Sequence, residues 1–192
     1  MIPKILHYCW FGGGKKPDYF YDAYESWKKY LPDYEIIEWN ETNYEISKYL
    51  YTDFMYKHGE FSFVSDVVRF DVLNTYEGIY LDINVILRDN LDALLNNKAF
   101  CCIDSQNPEH FASAIIGNES NSTFVNHCLK IFENILCEGM TLHHQIDNWV
   151  EVMKYVLLNE GVKLTNELQI LDLCTVYPYP YFTVTAKHLI QY

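Results

Sequence analysis

Two polar pairs stand out within apolar sequence: Asp66 with Arg69, and Asp82 with Asn84. The first pair lies in Phe-Ser-Phe-Val-Ser-Asp-Val-Val-Arg-Phe-Asp-Val-Leu, a stretch apolar on nearly every side. Such a helix is normally buried, and a three-residue spacing puts Asp66 and Arg69 on one face. A buried charge is costly unless it is paired or bound. Either the two form a self-satisfied ion pair, or they make a polar edge facing a ligand. In the second case Asp66 accepts from hydroxyls and Arg69 donates to sugar or phosphate oxygens.

The second pair follows in Tyr80-Leu81-Asp82-Ile83-Asn84. In extended chain, residues two apart point the same way, so both side chains would offer oxygen to one point. Oxygen donors suit hard cations such as Mg²⁺ or Mn²⁺, and those ions hold and neutralise a diphosphate. The competing reading is a strand exit whose polar residues begin a turn. Position favours the first, since ligands gather at the carboxyl ends of strands.

These residues need elements to place them. Pro3 to Phe11 reads as a buried first strand, ended by Gly12-Gly13-Gly14. Pro17 and Asp18 open a helix to about Tyr30, with Phe20, Tyr24, Trp27 and Leu31 at helical spacing. Tyr34 to Trp39 is a second strand. Helices are expected over Tyr44–Tyr51, Phe54–His58 and Ser62–Thr75, the last capped by a left-handed Gly78. Strands are expected over Ile79–Asp82, Val85–Leu87, Ala99–Ile103 and Ala112–Ile116. Helices follow over Asn121–Leu136 and Gln145–Asn159, then short strands and turns beyond Gly161. This order predicts an α/β fold with a central mixed sheet flanked by helices, as one domain over residues 1–192.

Composition narrows the partners. Half the residues are apolar and 17% aromatic, enough for a sizeable core. The net charge of −12, without a Lys/Arg cluster, sets aside nucleic acid. The six cysteines show no zinc spacing and read as buried reduced thiols. The start Met1-Ile2-Pro3-Lys4 does not read as a signal peptide, and no run of about 20 apolar residues occurs, so a cytoplasmic location is expected. Gly12-Gly13-Gly14-Lys15-Lys16 lacks the phosphate-loop spacing. His143, His144 and Asp147 lack a third well-spaced partner and read as a helix end.

The ordered pieces resemble one family. They are Ile2-Pro3-Lys4-Ile5-Leu6-His7 with Trp10-Phe11-Gly12-Gly13, then Trp39-Asn40-Glu41, Phe63-Val64-Ser65-Asp66 with Arg69, and Gly78-Ile79-Tyr80-Leu81-Asp82-Ile83-Asn84. Together they resemble family 32 glycosyltransferases with a DXD sugar-binding region: bacterial capsule and lipopolysaccharide transferases and yeast initiating mannosyltransferases. The resemblance covers about Ile2 to Leu95. It implies a GT-A-like fold and a retaining, metal-dependent transfer of a hexose from a nucleoside-diphosphate sugar. A UDP-sugar such as UDP-galactose or UDP-glucose is expected as donor, Mn²⁺ or Mg²⁺ as cofactor, and an oligosaccharide or lipid-linked oligosaccharide as acceptor. A lipid-linked acceptor would place the protein at the inner face of the membrane.

By the same resemblance, Trp10 borders the base, Trp39 and Asn40 lie near the nucleoside, and Tyr80 lies near the diphosphate; for Trp10 and Trp39 plain core packing is the alternative. Asp66 and Arg69 contact the donor sugar and its phosphate-proximal region, while Asp82 and Asn84 occupy the metal positions. Asp66, Arg69 and Asp82 would carry catalysis. Two features depart from the pattern. The second metal aspartate is Asn84, which keeps a carbonyl oxygen but no charge. The usual His/Ser-Trp segment near the C-terminus is not matched, with His188 as its remnant. A catalytically weak nucleotide-sugar-binding module and a toxin-like protein glycosyltransferase are the alternatives.

Overall fold

The computed structural model describes residues 1–104, 110–120, 122–137 and 149–179. Its strands are β1 (Ile5–Cys9), β2 (Glu35–Trp39), β3 (Gly78–Leu81), β4 (Ala99–Ile103), β5 (Phe111–Asn118), β6 (Gln169–Ile170) and β7 (Thr175–Tyr177). They form one mixed sheet in the order β2-β1-β3-β5-β4-β7-β6. β1 pairs in parallel with both β2 and β3, whereas β5 runs antiparallel to β3 and β4. The expected mixed α/β sheet is therefore present.

Side-chain alternation along the strands supplies both faces of the core. Leu6, Tyr8, Ile79, Leu81, Phe100 and Cys102 pack towards α1 (Asp18–Tyr30), around Trp27. Cys9, Tyr80, Ala99, Cys101 and Ile103 pack on the other face. That face is covered by α2 (Leu50–Lys57), α3 (Phe61–Tyr76), α4 (Phe124–Cys137) and α5 (Trp149–Asn159). Val64, Val67, Val68, Phe70, Val72 and Leu73 bury α3 nearly all round, as its apolar sequence predicts. Cys9, Cys101, Cys102, Cys128 and Cys174 are buried thiols. Among the described residues no helix is long and apolar enough to cross a membrane.

Several local expectations change. Tyr44–Tyr51 does not form one continuous helix. A 3-10 turn at Ile46–Lys48 precedes α2, which runs unbroken from Leu50 through the expected Phe54–His58 piece. Three contacts hold this segment outside a regular helix: Lys48, Tyr49 and Tyr44 all bond the buried carboxylate of Asp71 on α3. Val85–Leu87 is not a strand. Trp27 Nε1 donates to the Val85 carbonyl at 2.7 Å, and Leu87 N–H donates to Ser26 Oγ at 2.9 Å. α1 thus takes the backbone groups that a neighbouring strand would have used. The left-handed cap of α3 is Glu77, with φ 60, followed by Gly78 at φ 100 as the first residue of β3. His143, His144, Asp147 and His188 lie outside the described residues.

Candidate functional site

A cavity of about 540 Å³ opens at the carboxyl ends of β1 and β3. The β1 exit supplies Cys9, Trp10, Phe11 and the glycine loop. α3 supplies Phe61, Ser65, Asp66 and Arg69. The β3 end supplies Tyr80, Asp82, Ile83 and Asn84, and β5 supplies Ser113. Both polar pairs of the sequence therefore face one space.

Arg69 is the hub, and its side chain is only 5% exposed. Nη2 donates to Asp66 Oδ1 at 2.6 Å and lies 3.3 Å from Asp82 Oδ1. Nη1 donates to the carbonyl and hydroxyl of Ser113 at 2.8 and 2.9 Å, and Nε donates to the Ser65 carbonyl at 3.4 Å. The guanidinium also lies over the Tyr80 ring, 4.8 Å from its centroid. A guanidinium has five N–H donors. Arg69 makes four hydrogen bonds to protein oxygens, and Nη2 lies within ion-pair distance of Asp82, so Arg69 holds both carboxylates of the cavity wall. Burial works against its charge, but Asp82, Tyr80 and Asp66 outweigh burial and raise its pKa.

Asp66 is pushed up to about 7. Burial is the main cause and the Asp82 charge adds to it, against the pull of Arg69. The Tyr80 hydroxyl donates to Asp82 Oδ1 at 3.0 Å, and its own pKa is raised, first by burial. Asp82 Oδ1 is thus occupied by Tyr80 and Arg69, while Oδ2 makes neither contact.

Asp82 and Asn84 reach the cavity by a different geometry from the extended one. Ladder pairing to β5 ends after the Asp82 N–H bonds the Ala114 carbonyl at 2.9 Å. The chain then turns, with the Val85 N–H on the Asp82 carbonyl at 3.0 Å. The turn carries Asn84 exposed at its tip, next to Asp82 in the cavity wall. When both carboxylates are ionised, Asp66 and Asp82 exceed Arg69 by one negative charge. A carboxylate, a side-chain carbonyl and an excess negative charge fit a hard divalent cation completed by diphosphate oxygens and water. Among the described residues, no three His, Cys, Asp or Glu side chains cluster as a metal site.

Trp10 lines the cavity, and its Nε1 donates to the Gly14 carbonyl at 2.9 Å. The glycine loop is held from outside. Glu41 Oε1 accepts from the Gly12 N–H at 2.5 Å and from the Tyr56 hydroxyl at 2.9 Å. Gly12 has φ 87, and a Cβ there would lie 2.2 Å from the Phe61 ring. Trp39 and Asn40 are not brought to the cavity. Trp39 is buried against Tyr76 and bonds His7, and Asn40 ties its own turn through Thr42. Ser113 was missed by sequence reasoning, because only the antiparallel return of β5 brings it to Arg69.

A family model described as capsular polysaccharide synthesis protein matches residues 1–169, well past Leu95, where the motif resemblance stops. The chain is 29% identical over 140 residues to inositol phosphoceramide mannosyltransferase 3 of Schizosaccharomyces pombe. That match covers 70% of this chain and 37% of the yeast protein, so the chain spans little more than a third of its relative's length. Among solved structures, PaToxG Glycosyltransferase superposes with a TM-score of 0.66 at 16% identity, covering 83% of this chain and 69% of that one. At that identity the likeness establishes the fold, which is GT-A-like.

Proposed function

The chain belongs to the capsular polysaccharide synthesis protein family, and from that premise we propose that it is a glycosyltransferase using a nucleoside-diphosphate sugar. The observation that carries this reading is the meeting of Asp66, Arg69, Tyr80, Asp82 and Asn84 in one cavity beside Trp10. The acceptor is a polysaccharide or a lipid-linked oligosaccharide; a lipid-linked one would bring the protein to the inner face of the membrane. The yeast relative is named for a mannosyl transfer to a lipid, so GDP-mannose stands beside UDP-galactose and UDP-glucose as a donor to test.

In this reading Asp82 and Asn84 would hold Mn²⁺ or Mg²⁺, which would supply charge neutralisation for the leaving diphosphate. Arg69 fixes both carboxylates, so the site needs little rearrangement when charge develops. Asp66 is directed at the sugar, where its second oxygen accepts from hydroxyls and sets the pose. Trp10 offers a ring face to the base. Transfer proceeds with retention.

A thermal-shift panel of UDP-sugars, GDP-mannose, UDP and GDP, each with and without Mn²⁺, tests this. A ligand at about a hundredfold excess over its dissociation constant stabilises the folded state by about 2.7 kcal/mol. Metal-dependent stabilisation by one nucleotide sugar is expected. No shift with any nucleotide would overturn the reading. A shift without turnover on any acceptor would favour the binding-module alternative that Asn84 raises.

A further inference from the structure

His7, from the first quoted motif, does not line the cavity, yet it is fully buried in β1 between β2 and β3. Trp39 Nε1 donates to its Nδ1 at 3.1 Å, and its Nε2 lies 2.6 Å from the Glu77 carbonyl oxygen. Because Nδ1 accepts, Nε2 carries the proton and donates. Burial pushes the ring down to about 4, against the bond to Glu77, so this neutral tautomer persists at ordinary pH.

The carbonyl it holds belongs to an unusual residue. Glu77 has φ 60 and ψ −167, a region occupied almost only by glycine. Gly78 follows at φ 100, where a Cβ would stand 2.6 Å from the Ile5 carbonyl oxygen and 3.0 Å from His7 Nε2. Glu77 alone separates α3 from β3, whose first residue is Gly78. α3 brings Asp66 and Arg69, and β3 brings Tyr80 and ends beside Asp82. The contact between Arg69 and Asp82 therefore bridges two elements whose joint is strained and needs an external hold.

We propose that His7 is a positioning residue for the cavity: its Nε2–H holds the Glu77 carbonyl and so sets the α3–β3 joint that brings Asp82 to Arg69. The role deepens the donor-site reading and rests on it for its consequence in binding. It also accounts for Trp39, whose indole locks the imidazole tautomer instead of touching a ligand.

Two substitutions separate the ring's two bonds. His7→Gln keeps an amide N–H near the place of Nε2. His7→Asn is shorter and leaves the Glu77 carbonyl without its donor. Calorimetric titration with the nucleotide sugar selected by the panel, with Mn²⁺, should give His7→Gln within about threefold of wild type and His7→Asn about tenfold weaker. Glu77→Gly added to His7→Asn should recover most of that loss, because glycine adopts the joint unaided. Should His7→Asn fail to fold, recovery of a folded, binding protein by Glu77→Gly carries the same meaning.

Amide exchange across residues 78–82 of the ligand-free variants reads the joint directly, with faster exchange in His7→Asn than in His7→Gln. Equal losses in the two His7 variants, or no rescue by Glu77→Gly, overturn the proposal. If wild type binds no nucleotide while the exchange difference persists, the joint stands and the donor reading falls.

Discussion

Nη2 of Arg69 lies 3.3 Å from Oδ1 of Asp82, so α3 and the end of β3 meet through opposite charges at the cavity wall. The same nitrogen donates to Asp66 at 2.6 Å. One buried cation thus keeps two carboxylates in place.

Arg69→Ala should therefore unfold the protein more easily. Removing one partner of a buried pair leaves uncompensated charge and costs about 3–5 kcal/mol. Urea denaturation measures it, and Asp66→Asn on the Arg69→Ala background should return part of the loss. A cost below about 1 kcal/mol would mean that water reaches both carboxylates once the guanidinium is gone. Lost activity in Arg69→Ala alone would not identify a phosphate contact.

Asp66 makes stability depend on pH. Its carboxyl rises from 3.8 to about 7 on folding. The folded state then holds the proton more tightly than the unfolded chain. The resulting stabilisation is fully present below 3.8 and is lost as pH rises to about 7. Each unit by which folding raises the carboxyl is worth about 1.36 kcal/mol of this loss. His7 acts the other way: lowered to about 4 from 6.5, it favours folding as pH rises across that interval. The difference between wild type and Asp66→Asn isolates the carboxyl. Without added divalent cation, wild type should lose stability relative to the variant between pH 4.5 and 7.5. Parallel curves would place the Asp66 carboxyl in contact with bulk water.

Legibility in the sequence followed the range of the contacts. α3 could be read because Phe63, Val64, Val67, Val68, Phe70 and Val72 leave the stretch apolar on nearly every side, and β1 because Leu6, Tyr8 and Cys9 are apolar and β-prone. The joint occurrence of Asp66, Arg69, Asp82 and Asn84 was visible as ordered motifs. The engagement of Arg69 was not, since Ser113 arrives from 44 residues away on an antiparallel strand. Nor was the bond that fixes Trp39, whose indole donates to a residue 32 positions earlier. Val85 and Leu87 looked like a strand by composition, but α1 claims their backbone groups. Such choices are made by tertiary contact, against local preference.

Glu77→Gly should stabilise the protein. A non-glycine residue in the region of φ 60, ψ −167 costs about 1–3 kcal/mol. The added freedom of glycine in the unfolded chain takes back about 0.5–1 kcal/mol. A net gain of about 1 kcal/mol is expected in the urea midpoint, at an unchanged slope. A loss of stability would show that the Glu77 side chain contributes more than its backbone strain costs.

Asn84→Asp should tighten Mn²⁺ binding. Asn84 is exposed at the tip of the turn that Asp82 begins, and both line one cavity. An aspartate there adds a full negative charge at the place where the amide offers only a carbonyl oxygen, and cation affinity follows ligand charge. The turn itself needs only the backbone bond from Val85 N–H to the Asp82 carbonyl, so stability should stay within about 0.5 kcal/mol. Titration of Mn²⁺ into the nucleotide-free protein should show about a tenfold gain, worth about 1.4 kcal/mol. The gain should shrink with salt, because the site opens to solvent. Unchanged affinity would remove Asn84 from the cation site and leave Asp82 as its protein anchor. A gain accompanied by tighter binding of UDP but not of uridine would place the cation against the diphosphate, since uridine has no phosphate for it to hold.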